Sequence, residues 1–585
     1  MEHFDLIVVG AGWHGLAMAK TYIEVHNQAS ILVLDYADSV GGTWASERLY
    51  PGLKTNNVVG TYEFSDFPLV TEKYGIEKGQ HIPGEVVHAY LSDFCQTFGL
   101  MSCIRFRTKA ESATLLPNEE WEVAFTTSTT ETESCGTLIA TKLVLATGLT
   151  SQPFMPPLPG KDVFKGLVFH AKDFKKRARE LSDVKTVVVI GGNKSAWDVC
   201  YSSAARFGAR AHMVMRRSGG GPSWCWPPRV KGVIPSISIA SATRLFTWFD
   251  PNPYGRSAWP IRVLINRTWL GRKLSQLFWR YLDNKVTKLN AYDQSPGMAV
   301  LKPWTSTFWM GNSLSVHNYE TNWFDLVRSE QITAHAGEVS SLSESGVRLT
   351  DGTTIEADAV ICCTGWETKP SLQFFPEDIV YKLGFPSSGK EEPVLEAQVR
   401  ADILQAAPVL REKPVKHLPR NLRQEQTNVT TSEEPPSSMP YRLHRFILPC
   451  HLNFIRTKNL AVIGAHITLH TAILSQVQSL WITALFDDKI PHLALGSPKA
   501  LELDAIKREA YHHTEYQKIR RPKEAGGTGE RCPDLVFDSI PYVDMLLFDL
   551  DLSYHRKPTW YREITEPYTL ADFRGLVREW TRKTK

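Results

Sequence analysis

A chain of 585 residues is too long for a single hydrophobic core and predicts more than one domain. Its 43% hydrophobic and 22% charged residues are those of an ordinary soluble protein, and a net charge of +4 with no dense basic run excludes a nucleic-acid binder. The 9 cysteines form no C-x-x-C pair, which excludes zinc and dithiol redox motifs and predicts reduced thiols and a cytoplasmic location.

The chain opens on "MEHFDLIVVGAG", with no basic n-region, so no signal peptide is expected. The apolar run Leu6 to Val9 reads as a buried parallel strand. Gly10, Gly12 and Gly15 follow in G-x-G-x-x-G spacing, then a helical pattern, then the strand "ILVLD" ending at Asp35. Gly10 permits a tight turn, Gly12 lets backbone approach a pyrophosphate, and Gly15 allows close helix–strand packing. The helix N-terminus meets phosphate charge, and Asp35 suits a bare ribose, so this first cradle favours FAD or NAD.

A strand running into Ala146, Thr147 and Gly148 closes the first part, and a Pro-rich crossover leads out. Next comes "FKGLVFHAKDF", with Phe164, Gly166, His170 and Phe174 at fixed intervals. It reads as a linker in which Phe164 and Phe174 are apolar anchors, Gly166 allows a bend and His170 fixes the segment by hydrogen bonds, not as a general base.

A second strand–turn–helix unit begins at Thr186 to Ile190 and carries Gly191, Asn193, Lys194, Ser195 and Ala196. Asn193 replaces the middle glycine, where its tolerance of left-handed angles would preserve the turn with looser phosphate contact. Its next strand ends in Arg216 and Arg217 where the first ended in Asp35, and arginine suits a 2′-phosphate. The second cradle therefore favours NADPH, with Lys194 adding charge. Asp351-Gly352 marks a hairpin, and the strand Ala359 to Cys362 runs into Thr364 and Gly365.

Residues 222–310 are rich in Trp and partly helical. They read as a lid or wall for a bulky apolar substrate, as helical core, or as a peripheral membrane contact; no transmembrane segment is expected. Residues 411–440 are polar and Pro-rich and read as a mobile surface loop. "KNLAVIGAHITLHTAILSQVQSLWITALF" then supplies a strand from Leu460 to Ile463 and a helix, returning the chain to its first domain. The expected fold is α/β, with two Rossmann-like dinucleotide-binding domains, the second inserted in the first, and a helical aromatic-rich insertion. The boundaries are 1–160 and 371–585 for the FAD-binding domain, 161–184 for the linker and 185–370 for the NADPH-binding domain.

With these motifs the chain resembles the class B flavin-containing monooxygenases, in particular their fungal members. "GGTW", with Gly42, Thr43 and Trp44, is similar to the family's flavin signature, "LYPGLKTNN" to its segment under the isoalloxazine, and Phe164 to Phe174 to the monooxygenase fingerprint. The resemblance implies FAD in the first cradle, with Ala110 among its contacts, and NADPH in the second. It implies insertion of one atom of O2, through a C4a-(hydro)peroxyflavin, into a small lipophilic, secondary-metabolite-like substrate, and no metal. Asn56 is its catalytic and cofactor-contacting residue. The sister Baeyer–Villiger enzymes usually have Asp at that point and Trp at the position of Phe174; both departures favour N- or S-oxidation over conversion of a ketone to an ester. A thiol oxidoreductase lacks suitably placed cysteines, and a non-enzymatic flavoprotein module is a distant alternative. Substrate identity and oligomeric state are not encoded in any motif.

Overall fold

A computed structural model describes residues 1–584 apart from 129–131, 228–236, 256–258, 312–313, 387–391, 419–439 and 495. Two parallel-stranded sheets organise the molecule. In the first, the strand Glu2–Val9 lies between Ile31–Leu34 and Glu133–Leu145, all parallel. Its all-apolar inner half, Leu6 to Val9, is buried, with the helix Trp13–Val25 packed against the strand. Thr108–Leu115 and Trp121–Ser128 extend this sheet as an antiparallel meander. Leu460–Val462 joins parallel to Leu143–Leu145, so the chain does return to its first sheet after completing the second.

The second sheet has five parallel strands in the order Ile332–Ala336, Arg210–Met215, Thr186–Ile190, Ala359–Cys362 and Leu167–His170. The stretch read as a linker thus supplies an edge strand of this sheet, paired with Ala359–Cys362. Gly166 sits at a bend just before this strand, and packing bears on it as well. A Cβ there would lie 2.2 Å from the Asp358 carbonyl oxygen and 2.6 Å from the Phe164 ring, so glycine is required by close packing. The hairpin at Asp351-Gly352 joins Gly346–Leu349 to Thr354–Glu356, with Gly352 at φ 87°.

The insertion at 222–310, apart from 228–236 and 256–258, which lie outside the described residues, packs against the end of the chain. Arg244 pairs with Asp544 and Glu563, and Asp250 receives Arg520 at 2.5 Å and the Tyr516 hydroxyl at 2.8 Å. Phe246, Trp279 and Phe537 share the same apolar core as the first sheet. Asp538, buried beside Asp250, has its carboxyl pushed far above the ordinary range by desolvation and by that neighbouring charge. Such buried, multiply bonded ions fix geometry more than they add net stability, which opposes a freely swinging lid. The polar segment 411–440 is likewise not loose at its start: the His417 N–H donates to the Trp304 carbonyl at 2.7 Å and Leu418 is buried. Its remainder, 419–439, lies outside the described residues. Among the described residues no helix is long and apolar enough to cross a membrane.

Candidate functional site

Each sheet presents a cradle at the carboxyl ends of its central strands. Gly10 has φ 115°, and a Cβ there would meet the Ala146 carbonyl oxygen at 2.4 Å. Gly191 repeats this in the second sheet, with φ 146° and the Cys363 carbonyl oxygen at 2.5 Å. At both places the turn after one strand runs flush against the end of its neighbour, Ala146 to Gly148 or Cys363 to Gly365.

Gly15 has no room for a side chain, since its Cβ would stand 1.8 Å from the Gly10 carbonyl oxygen. Gly12 differs. Its φ of −82° is open to any residue, and a Cβ would meet Gly42 alone, at ordinary contact distances of 3.7 Å to Cα and 4.0 Å to N. The chain itself does not forbid a side chain at Gly12, so the hollow between Gly12 and Gly42 is kept clear for something else. The helix Trp13–Val25 starts there with no side-chain cap and no acidic residue in its first turn. Its first-turn amides and dipole therefore suit an anion. Asp35 is buried at the end of its strand. Its carboxylate accepts the Ala11 N–H at 2.6 Å and the Ala37 N–H at 2.9 Å, and keeps acceptor capacity for hydroxyl groups. Burial raises its pKa, opposed by those two N–H groups. These residues fit a dinucleotide pyrophosphate and ribose.

Beside this cradle Gly41 and Gly42 take positive φ, the Thr43 hydroxyl lies 3.0 Å from that of Thr150, and the Trp44 indole N–H donates to the Tyr62 hydroxyl at 3.2 Å. Burial raises Tyr62 to about 12. Thr147 and Gly148 follow the strand ending at Leu145, Gly148 with φ 64°. Ala110 is buried in the strand Thr108–Leu115, whose first N–H bonds the Asp35 carbonyl at 2.8 Å. Sequence reasoning missed Gly464, with φ 73°, at the third strand end of this edge; a Cβ there would lie 2.6 Å from the His14 ring.

In the second cradle Asn193 has φ −86° and ψ 178°. The left-handed turn invoked for it does not occur. Like Gly12, the position is extended, so asparagine needs no special tolerance. Ser195 and the buried Ala196 continue into the helix Lys194–Tyr201. Lys194 does not turn toward the Arg216 strand. Its ammonium pairs with Asp198 and contacts the Asn318 side-chain oxygen at 3.1 Å and the Tyr319 hydroxyl at 3.2 Å.

Arg216 and Arg217 part company. Arg217 donates to the Ala336 carbonyl at 3.0 Å, while Arg216 is exposed at the strand end. Lys416 was not foreseen. Its three N–H groups go to the carbonyls of Arg217, Ser218 and Gly219 at 3.1, 3.3 and 2.7 Å, tying the loop beneath Arg216. Burial, despite the Glu524 carboxylate, lowers its pKa, and Arg216 adds to the lowering.

Asn56 lies on the strand Lys54–Val58 between the two cradles. Its neighbours are tied down: Asn57 donates to the Leu469 carbonyl at 2.9 Å, and the Asn318 amide donates to the Lys54 and Thr55 carbonyls at 3.2 and 3.1 Å. The Asn56 side-chain oxygen is buried with no hydrogen-bond partner among the described residues. A buried polar atom left unpaired in an otherwise satisfied strand points to an absent ligand.

A polar relay links this strand to the second cradle. The Tyr50 hydroxyl donates to Asp198 at 3.0 Å, and the Tyr319 hydroxyl to the other Asp198 oxygen at 2.9 Å. Only the i, i+4 spacing of Lys194 and Asp198 was visible in sequence. Tyr50→Phe removes one bond between the units and is expected to cost about 1 kcal/mol, read as a lower urea midpoint.

His170 is half-spoken for on each side: Nδ1 accepts the Lys172 N–H at 3.1 Å, so Nε2–H donates to the Gly365 carbonyl at 3.0 Å. Burial lowers its pKa. Both ring nitrogens are thus engaged with backbone. Phe174, buried, packs edge-on to Tyr50 at 5.5 Å, and Phe164 lies in the core beneath the second sheet. All 9 cysteines are free thiols, and burial pushes Cys363 well above its ordinary value, with no disulfide to serve thiol exchange.

A family model described as flavin-binding monooxygenase-like matches residues 4–230. The FAD-dependent monooxygenase rstn6 of Aspergillus nomiae is 32% identical, covering 99% of this chain and 98% of its own. An FAD-dependent monooxygenase of Pyrenophora dematioidea is 34% identical, over 95% and 99%. Among solved structures, the polycyclic ketone monooxygenase of Thermothelomyces thermophila has a TM-score of 0.55 at 16% identity, over 94% of this chain and 88% of that one. The S-allyl-L-cysteine S-oxygenase of Allium sativum has a TM-score of 0.52 at 14% identity, over 100% and 94%. Both support the fold.

Proposed function

Because the chain belongs to the flavin-binding monooxygenase-like family of FAD-dependent monooxygenases, we propose that it oxidises a small lipophilic substrate with NADPH and O2, at a nitrogen or sulfur atom. The observation that carries this reading is the pair of cradles flanking Asn56, the first ending in Asp35 and the second in Arg216. FAD, when bound, supplies the hydride acceptance and the activation of O2. The protein's part is to bind, orient and exclude water. Gly10, Gly12 and the helix at Trp13 hold the FAD pyrophosphate, and Asp35 the ribose. Gly191, Asn193 and Ser195 hold the NADPH pyrophosphate, and Arg216 its 2′-phosphate. Asn56 offers an uncharged amide to the reacting oxygen, which needs no titrating group and so works across a broad pH range. A Baeyer–Villiger reaction on a ketone is the second reading; the uncharged Asn56 favours heteroatom oxidation over it.

The test has two parts. NADPH added without oxygen should bleach the visible flavin absorbance of the purified protein, and O2 should then be consumed in step with oxygenated product from amine or sulfide probes. No bleaching would overturn the reading, and turnover of ketones alone would move it to the second one. Asn56→Ala is expected to keep NADPH-driven reduction but to lower product per NADPH about tenfold, the worth of one hydrogen bond to a charged partner, with hydrogen peroxide making up the balance. Unchanged coupling would remove Asn56 from the chemistry.

A further inference from the structure

The helix Trp269–Asn290 buries one face and leaves the opposite face bare. Gly271, Ser275, Trp279, Leu282, Val286 and Asn290 are buried. Leu270, Leu274, Leu277 and Tyr281 follow at i, i+4, i+7 and i+11, which places them on one outward stripe. All four are exposed, Leu270 at 63%, and the stripe continues into Trp269 at 68% and, from the preceding helix Trp259–Arg267, Leu264 at 58%. An apolar stripe of this length on a surface helix marks a contact.

Charge says what kind. Across residues 259–290 there is a single carboxylate, Asp283, against seven Lys and Arg residues, of which Arg262 is turned inward onto the Asn252 and Gly255 carbonyls. Asp283 is turned inward, where it accepts the Thr307 N–H at 3.0 Å, and burial raises its pKa. Lys273, Arg280 and Lys288 are exposed along the stripe. Glu412 reaches this helix at Gln276, on its flank, 3.2 Å away. A second copy laid on this face by two-fold symmetry would set cations against cations. An anionic surface complements it.

We propose that the outward face of Trp269–Asn290, with Leu264, docks the enzyme on an anionic phospholipid surface as an in-plane amphipathic helix. The apolar stripe enters the acyl boundary while Lys273, Arg280 and Lys288 meet the headgroups. On the inner side Trp279 packs on Phe246, Phe308 and Phe537 at ring distances of 5.7, 5.5 and 5.0 Å, so the docked helix is one aromatic layer from the shared core. This inference does not depend on the reaction proposed above.

Co-sedimentation of the full chain with phosphatidylcholine vesicles, with and without phosphatidylserine, tests it. Binding is expected only with phosphatidylserine, weakening as salt rises. Removing Lys273 and Arg280 together by alanine substitution should lower the partition coefficient about fivefold per charge. Leu274→Asn with Leu277→Asn should lower it about tenfold or more. Flavin content shows that each variant is folded. Equal binding to neutral vesicles, no binding to either, or variants that bind like the parent overturns the proposal. So does a dimer in sedimentation velocity that the leucine variant dissociates while vesicle binding stays unchanged.

Discussion

Gly15→Ala is expected to yield a destabilised chain that does not retain FAD, while Gly12→Ala folds normally and loses only the cofactor. The two glycines stand in one motif but answer to different forces. At Gly15 a Cβ meets the Gly10 carbonyl oxygen at 1.8 Å and its carbon at 2.9 Å, both backbone atoms that no side-chain motion relieves. The helix would have to lift off the strand, at a cost of about 3 kcal/mol or more by the measure of overpacked cores. At Gly12 the same methyl finds ordinary contact at 3.7 Å in a conformation open to alanine. What it blocks is the approach of a pyrophosphate to the backbone. Melting curves of the two variants in the apo state, with flavin absorbance after purification, separate the effects. A Gly12→Ala protein that still carries a full complement of FAD would show that the pyrophosphate does not approach there.

Arg216→Ala is expected to lower kcat/KM for NADPH about 100-fold, or about 3 kcal/mol, and to leave NADH within about twofold. Arg216 is the exposed arginine at the end of Arg210–Met215, and its loop is tied from below by Lys416. Arg217 is spent on the Ala336 carbonyl, so Arg217→Ala should cost about 1 kcal/mol of stability and little cofactor discrimination. Steady-state kinetics with both nucleotides decides between them. Equal losses for NADPH and NADH would remove Arg216 as the phosphate clamp.

What was legible in the sequence was local. Each cradle needs a strand, a turn and a helix adjacent in the chain, and the glycine spacing and apolar runs write all three within one short window. At Asn193 the residue type suggests a left-handed turn, yet the backbone there is extended, because what sets it is the neighbouring strand and helix and not the side chain. Contacts across the chain left no such trace. Leu167–His170 reads as a linker until its partner, Ala359–Cys362, is known. Lys416 lies in a polar segment whose composition suggested mobility, and only its three carbonyl partners give it a place. Asn318 and Gly464 carry no motif; they matter through the Thr55 carbonyl and the His14 ring that they meet.

The return of the chain to its first sheet also sets a timetable for synthesis. The central strand Glu2–Val9 leaves the ribosome early and pairs with Glu133–Leu145, but the latter lacks its second parallel partner until Leu460–Val462 has been made, and Arg244 waits longer still for Asp544 and Glu563. The second sheet closes sooner, once Ala359–Cys362 emerges. A nascent chain therefore carries a finished second sheet beside an unfinished first one, and the insertion still lacks its cover, with Phe246 and Trp279 waiting for Phe537. Long-range closure of this kind is slow and leaves sticky surface exposed in the interval. Loss of even the last tenth of the chain should thus be felt far upstream, as aggregation through the uncovered insertion and the core it shares with the first sheet rather than as a shortened but folded enzyme.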